Sequence, residues 1–286
     1  MKGTTLLLAA LLAAMALFYA FPLYWTLVTS LKTNLDVFSY PPSFLPPHPT
    51  LSNFYSAEQS AQTVTQTAIG SLPWMLNSSL IALMSSLIST FAIGAPSAYA
   101  LTRHIKRRIW PARMILFMTM LPEAAFVVPY YIITRNLLLL NNWFGLMLVY
   151  LSFTAPFATW LLMGFFNAIP MSIEEASQID GLSPFETFYK ISLKIVIPGV
   201  ITVLILNFIS CWNEFLYALT MTYTPFPSGA QTVQVFMAGF VVIEKGVAWG
   251  GLAAAGIFAM LPGILLAVLA QKYLTRGFTW GGTKGV

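Results

Sequence analysis

The chain has 286 residues, 58% of them hydrophobic and 8% charged, with a mean hydropathy of +0.76. A soluble domain is about one quarter charged, so a water-soluble globule is excluded; lipid is the solvent that accommodates this much apolar surface. The lone Cys211 excludes an internal disulfide and a cysteine-built metal site, and the formal charge of +5 is placed along the chain as a topology signal rather than as a nucleic-acid surface.

A membrane-spanning helix needs about 20 mostly apolar residues. Six stretches meet this: Thr5–Leu31, Met75–Leu101, Trp110–Thr134, Trp143–Phe166, Ile195–Thr220 and Gly251–Tyr273. The first follows Lys2 but is longer than a signal-peptide core and has no small-residue cleavage site after it, so it reads as a span. The prediction is an all-α integral membrane protein, one domain over 1–286 with its six helices in a single bundle. With a cytoplasmic amino terminus, Lys2, Arg103, Lys106, Arg107, Arg108, Arg113, Lys190, Lys194, Lys272, Arg276 and Lys284 lie inside, and Lys32, Arg135 and Lys245 outside. Both termini are then cytoplasmic by the positive-inside rule. Two long segments, 32–74 and 221–250, fall outside. The first holds Pro41, Pro42, Pro46, Pro47 and Pro49, which fix the backbone and remove donors, so it is predicted to be extended without joining a sheet. Trp74, Trp110, Trp143 and Trp249 sit near span ends, as an interfacial belt does.

The connection 167–194 is long for a bundle loop and carries Glu174, Glu175, Asp180 and Glu186 among the chain's 9 acids. Pro170 stops the preceding helix. Ser172 with Glu175 has capping-box spacing, and Ile173, Ala176 and Ile179 follow at helical spacing. Gly181 suits the left-handed residue that closes a helix. Ser183 then caps a second helix, with Pro184 at its first position and Glu186 at its third. The acidic polar face of the short helix disfavours an anionic lipid surface and favours docking to a soluble partner; the bland alternative is a loop that merely connects.

Glu175-Ala176-Ser177, three residues, Gly181, then Ile191 and Leu193 resembles the EAA loop of ATP-binding-cassette importer permeases, with Ser177 in place of the second Ala and Lys194 where Pro is usual. Asp180-Gly181 matches the start of that family's turn. Trp212-Asn213-Glu214-Phe215 and the tail Gly277–Gly285 are similar to the carbohydrate-uptake branch, closest to the second, six-helix permease of maltose-type and glycerol-phosphate-type importers. The resemblance implies a subunit of a binding-protein-dependent, ATP-driven importer in a prokaryotic inner membrane, for a sugar or sugar-like solute, oligosaccharide favoured. It implies a homologous second permease, a cytoplasmic ATPase dimer and an extracytoplasmic solute-binding protein as partners, besides membrane lipid and with no nucleic acid. Glu174, Glu175, Ala176, Ser177, Asp180 and Gly181 would form the ATPase-coupling segment. The chain has no Gly-x-x-x-x-Gly-Lys-Ser/Thr loop, so ATP and Mg belong to the partner ATPases, no cofactor belongs here, and the chain is not itself an enzyme.

Charges inside a bundle are costly and usually functional. Glu123, midway along the third predicted span beside Pro122, reads either as a polar patch on the solute path or as a helix-packing hydrogen bond. Trp212, Asn213, Glu214 and Tyr217 read either as a sugar contact, because sugars offer C–H faces and hydroxyls together, or as an interfacial anchor or subunit contact. Tyr130, Tyr131 and Trp160 are weaker candidates of the same kind. His48 and His104 are isolated, and neither belongs to a metal spacing or a triad. The cluster Arg103–Arg108 reads as topology or a lipid headgroup contact. Two rivals remain at this stage: a stand-alone secondary carrier or channel, which calls for inverted repeats and broken central helices, and, within the importer class, a polyol or glycerol-phosphate system. An intramembrane enzyme lacks its motif.

Overall fold

A computed structural model describes residues 2–55, 69–105, 109–224, 227–242 and 246–281. The regular elements among the described residues are helices apart from one antiparallel ribbon, Val241–Val242 with Gly246–Val247. The principal helices are α1 (Lys2–Ser30), α2 (Leu72–Arg103), α3 (Ile109–Met120), α4 (Val127–Asn136), α5 (Trp143–Asn167), α6 (Met171–Ile179), α7 (Pro184–Ile195), α8 (Ile197–Asn213), α9 (Leu216–Met221), α10 (Val233–Ala238) and α11 (Trp249–Gly281). Among the described residues four helices are long and apolar enough to cross a membrane: Thr5–Ser30, α2, α5 and Trp249–Leu269. Two bent pairs bring the number to as many as six, Ile109–Met120 with Glu123–Asn136 at 90° and α7 with α8 at 78°.

The 90° bend and a separate break after α8 correct two predicted spans. The stretch Trp110–Thr134 is not one helix: Pro122 takes extended backbone (φ −68°, ψ 124°) and a 3-10 turn, Glu123–Phe126, follows before α4. A proline supplies no N–H and clashes with the preceding turn. The stretch Ile195–Thr220 also breaks, at Glu214 (φ −68°, ψ 129°), between α8 and α9. Helix α2 absorbs its own proline differently. A π turn over Ile88–Gly94 precedes Pro96, and the Ala95 N–H reaches the Thr90 carbonyl. Widening the turn leaves room for the ring, and the helix continues.

The chain divides into two compact units, Met1–Pro73 with Val235–Leu261, and Trp74–Gln234 with Pro262–Val286. In the first, α1 exposes its apolar side chains, Leu17 at 73% and Phe18 at 76%, which suits lipid. The proline-rich stretch after α1 lacks strands among its described residues. It is held by polar contacts instead: Lys32 Nζ donates to the Ser43 carbonyl (2.6 Å), and Asn53 Nδ2 donates to the Ser30 and Lys32 carbonyls. Lys32 also lies 4.7 Å over the Trp25 ring. Thr33 Oγ1 and His48 Nδ1 meet the Asp36 carboxylate at 2.8 and 3.2 Å.

In the second unit, the ends of α2 and α5 pack on α7 and α8. The contact uses small residues, Ala95, Ala98 and Ala158, around Tyr99, Phe166 and Val200, so backbones approach closely. A Cβ on Gly94 would lie 2.7 Å from the Ala158 Cβ. Trp74 departs from the predicted belt. It is buried, and its indole N–H donates to Gln231 Oε1 at 2.7 Å, because a polar partner was available inside the unit. Trp110 and Trp249 are exposed as expected.

Candidate functional site: the loop helix and the broken spans

Helix α6 begins immediately after Pro170, whose extended backbone sets the boundary. Ser172 is therefore already inside the helix, and no side chain caps its start, which corrects the predicted box with Glu175. The far end follows the sequence reading. Gly181 sits at φ +91°, its N–H donates to the Gln178 carbonyl (3.0 Å), and the Leu182 N–H donates to that of Ser177 (3.1 Å). This pair of bonds is the Schellman closure, which requires a left-handed residue at this position. Ser183, Pro184 and Glu186 form the predicted capping box with both reciprocal bonds made, and Lys190 pairs with Glu186 at 2.8 Å.

The orientation of α6 is the unexpected feature. Glu174 and Ser177 are buried, whereas Glu175, Ala176, Asp180 and Gly181 are exposed. The apolar stripe looks outward, with Ile179 at 85% exposure and Phe185 on the next helix at 75%. Inside, Glu174 accepts hydrogen bonds from Arg103 Nε (2.8 Å) and the Ser192 hydroxyl (2.8 Å), with Tyr99 at 3.5 Å. Arg103 Nη2 donates to the Phe166 and Ile169 carbonyls at 2.8 and 3.0 Å. Ser177 Oγ lies 2.9 Å from Thr187 Oγ1. Glu174 and Ser177 thus face the interior of the unit, whereas the other four residues of the predicted coupling segment lie on the exposed side. Arg103, read from the sequence as a topology residue, is a buried partner; Lys106, Arg107 and Arg108 lie outside the described residues, and His104 is exposed. The signal that sequence reasoning missed is the placement of Arg103 in the last turn of an apolar helix, where a guanidinium meets the unpaired carbonyls of a neighbouring helix end.

The membrane candidates fall at the two breaks. Glu214 is buried. Its Oε1 accepts from the Tyr217 N–H (2.6 Å), and its Oε2 accepts from the Ala218 N–H (3.1 Å) and the Tyr150 hydroxyl (2.8 Å). The carboxylate therefore replaces the helical bonds lost at the break and caps α9. Tyr217 is buried between Tyr130 and Phe153, and its hydroxyl donates to the Glu123 carbonyl at 2.8 Å. The side chains of Glu123 and Asn213 are exposed. Trp212 is buried and stacked on Phe208 at 5.9 Å. The structure therefore joins Glu123, Glu214 and Tyr217 around one pair of breaks, with Asn213 beside them, and withdraws Trp212 into packing. Tyr131 and Trp160 take no part in these bonds. Among the described residues no group of acids, histidines and cysteine is placed to hold a metal.

Described residues that are almost wholly helical, with four to six helices apolar enough to cross a membrane, define a multi-pass membrane protein. Residues 90–280 match the family of binding-protein-dependent transport system inner membrane components, and the chain belongs to that family. It is 33% identical over 270 residues to the sulfoquinovosyl glycerol transport system permease protein SmoH of Agrobacterium fabrum, covering 93% of this chain and 89% of that one. It is 29% identical over 286 residues to the trehalose/maltose transport system permease protein MalG of Thermococcus litoralis, covering 100% and 98%. Its fold is similar to a chain of a bacterial ABC transporter involved in the import of the acidic polysaccharide alginate, with a TM-score of 0.72 at 20% identity over 95% of this chain and 96% of that one.

Proposed function

We propose that this chain is one permease subunit of an ATP-driven importer for a sugar or sugar-like solute, with both termini cytoplasmic and six spans, each bent pair counting as one. The observation that carries this reading is the outward apolar face of α6. Ile173, Ala176 and Ile179 are exposed beside Glu175 and Asp180 on a loop between spans, and an apolar patch rimmed by charge marks a surface that another protein covers. That protein is the ATPase, which supplies the nucleotide chemistry; Glu175, Ala176 and Asp180 form the docking face, and Gly181 fixes its end. A second permease and an external binding protein complete the assembly. Support for a sugar-like solute comes from the named transport systems of the relatives. Along the path, Glu123 and Asn213 are the solute-facing candidates, while Glu214 and Tyr217 hold the wall.

The test is co-purification of the tagged chain in mild detergent, with and without Glu175→Ala and Gly181→Trp. Recovery of an ATPase and a second permease, weakened by both substitutions, is the expected result. A stable assembly of this chain with no ATPase would sink the reading.

A further inference from the structure

We propose that Arg103 and Glu174 are positioning residues that lock α6 to the ends of α2 and α5, so that a displacement of α6 is carried into the spans instead of being absorbed by its hinges. The inference rests on the docking reading above. Only 168–170 connect α6 to α5, with Pro170 directly before the first residue of α6; at the other end the chain turns sharply at Gly181, with φ +91° and no atom within 4 Å of an added Cβ. A short helix between a proline and a glycine turn has two places to swivel. Pushed by a partner, it would rotate about them and leave the spans behind.

The buried network opposes that rotation. Arg103 belongs to α2 and Glu174 to α6, and their side chains are 6% and 5% exposed. The guanidinium also binds the Phe166 carbonyl in the last turn of α5 and the Ile169 carbonyl in the connection that follows it. Ser192, on α7, donates to the other carboxylate oxygen. One ion pair therefore joins four segments of chain through directional, charge-assisted bonds. Such a pair adds little net stability over a well-packed apolar replacement, and its best-attested role is fixing register. The contact Ser177 Oγ to Thr187 Oγ1 alone does not reach α2 or α5. Register between α6 and the spans is thus what this pair supplies.

The test uses the full chain with its co-purifying subunits in lipid nanodiscs, in a Cys211→Ser background. Spin labels are placed at Gln178 on the exposed face of α6 and at Leu148 near the other end of α5. In the parent, the distance distribution should be single and narrow, and the same without nucleotide and with ATP trapped by vanadate. In Arg103→Gln, and in the double variant Arg103→Met with Glu174→Met, the narrow peak should be lost and its position should differ between the two nucleotide states. The double variant leaves no unpaired charge, so it should keep the parent's thermal midpoint and separate rigidity from stability. A double variant whose distribution stays as narrow and as nucleotide-independent as the parent's overturns the proposal, whatever its midpoint. Absence of an ATPase from the parent preparation would instead count against docking, and the peak width in the chain alone would still decide the lock.

Discussion

The Tyr217 hydroxyl donates to the backbone carbonyl of Glu123 across 2.8 Å, so the break in one bent helix pair is tied to the break that follows α8. Glu123 opens the 3-10 turn after one break and Tyr217 lies in the first turn of α9 after the other, so the bond links the two restarts. Tyr217→Phe keeps the ring between Tyr130 and Phe153 and removes only this bond. The expected loss is about 1 kcal/mol, read as a lower thermal unfolding midpoint in detergent with the helical circular-dichroism signal unchanged.

Glu214 holds the same region from the other side. Glu214→Ala strands two backbone N–H groups and the Tyr150 hydroxyl in a buried position. About 3 kcal/mol or more of stability should go. Glu214→Gln retains one carbonyl acceptor and should lose roughly half as much. A Glu214→Ala midpoint equal to the parent's would show that the cap contributes nothing.

Gly181 isolates backbone strain from crowding. With open space around an added Cβ, Gly181→Ala should cost about 1–2 kcal/mol through its left-handed backbone alone. Gly181→Asn should cost less, since Asn tolerates that region, and Gly181→Val more. The reading is the proteolysis rate of the 171–182 segment, which should rise in the order Asn, Ala, Val.

Asp36 makes one part of the first unit sensitive to acid. The Thr33 hydroxyl, aided by His48 and opposed by burial, holds the Asp36 carboxyl below its ordinary value of 3.8. The folded state therefore prefers the carboxylate more than the unfolded chain does. Its contribution is fully present above the ordinary value and disappears as pH falls through the lowered one. Asp36→Asn should lower the unfolding midpoint near neutral pH, and the gap from the parent should narrow as pH falls below the ordinary value of 3.8. A gap that stayed constant with pH would contradict the assignment.

Several of these features were legible in the sequence, for identifiable reasons. Hydropathy located the apolar stretches, because lipid imposes a length and a composition. The Gly181 turn and the Ser183–Glu186 box followed from residues acting on their own backbone. The facing of α6 did not follow, because periodicity reveals a stripe without saying which side is covered. Glu174 and Glu175 are adjacent acids, and only the buried Arg103 distinguishes them. The break at Glu214 carries no proline or glycine; it exists because a carboxylate bonds to N–H groups three and four residues ahead, a possibility composition does not display. Trp74 was read by its position near a span end, while its environment was fixed by Gln231, far along the chain.

The close approach of Gly94 to Ala158 has a consequence for sequence drift. An added Cβ at position 94 meets both the Ala158 Cβ and the Ser89 carbonyl at 2.7 Å, and neither is the flexible end of a side chain. In a saturation-mutagenesis library selected for membrane abundance, position 94 should accept almost nothing beyond glycine, and position 158 nothing larger than alanine or serine. Helix α3, in which no described residue is buried, should by contrast exchange leucine, methionine and phenylalanine freely. Variation along this chain is thus rationed by backbone proximity rather than by hydrophobicity, and of two residues lying 64 positions apart one could grow only if the other shrank.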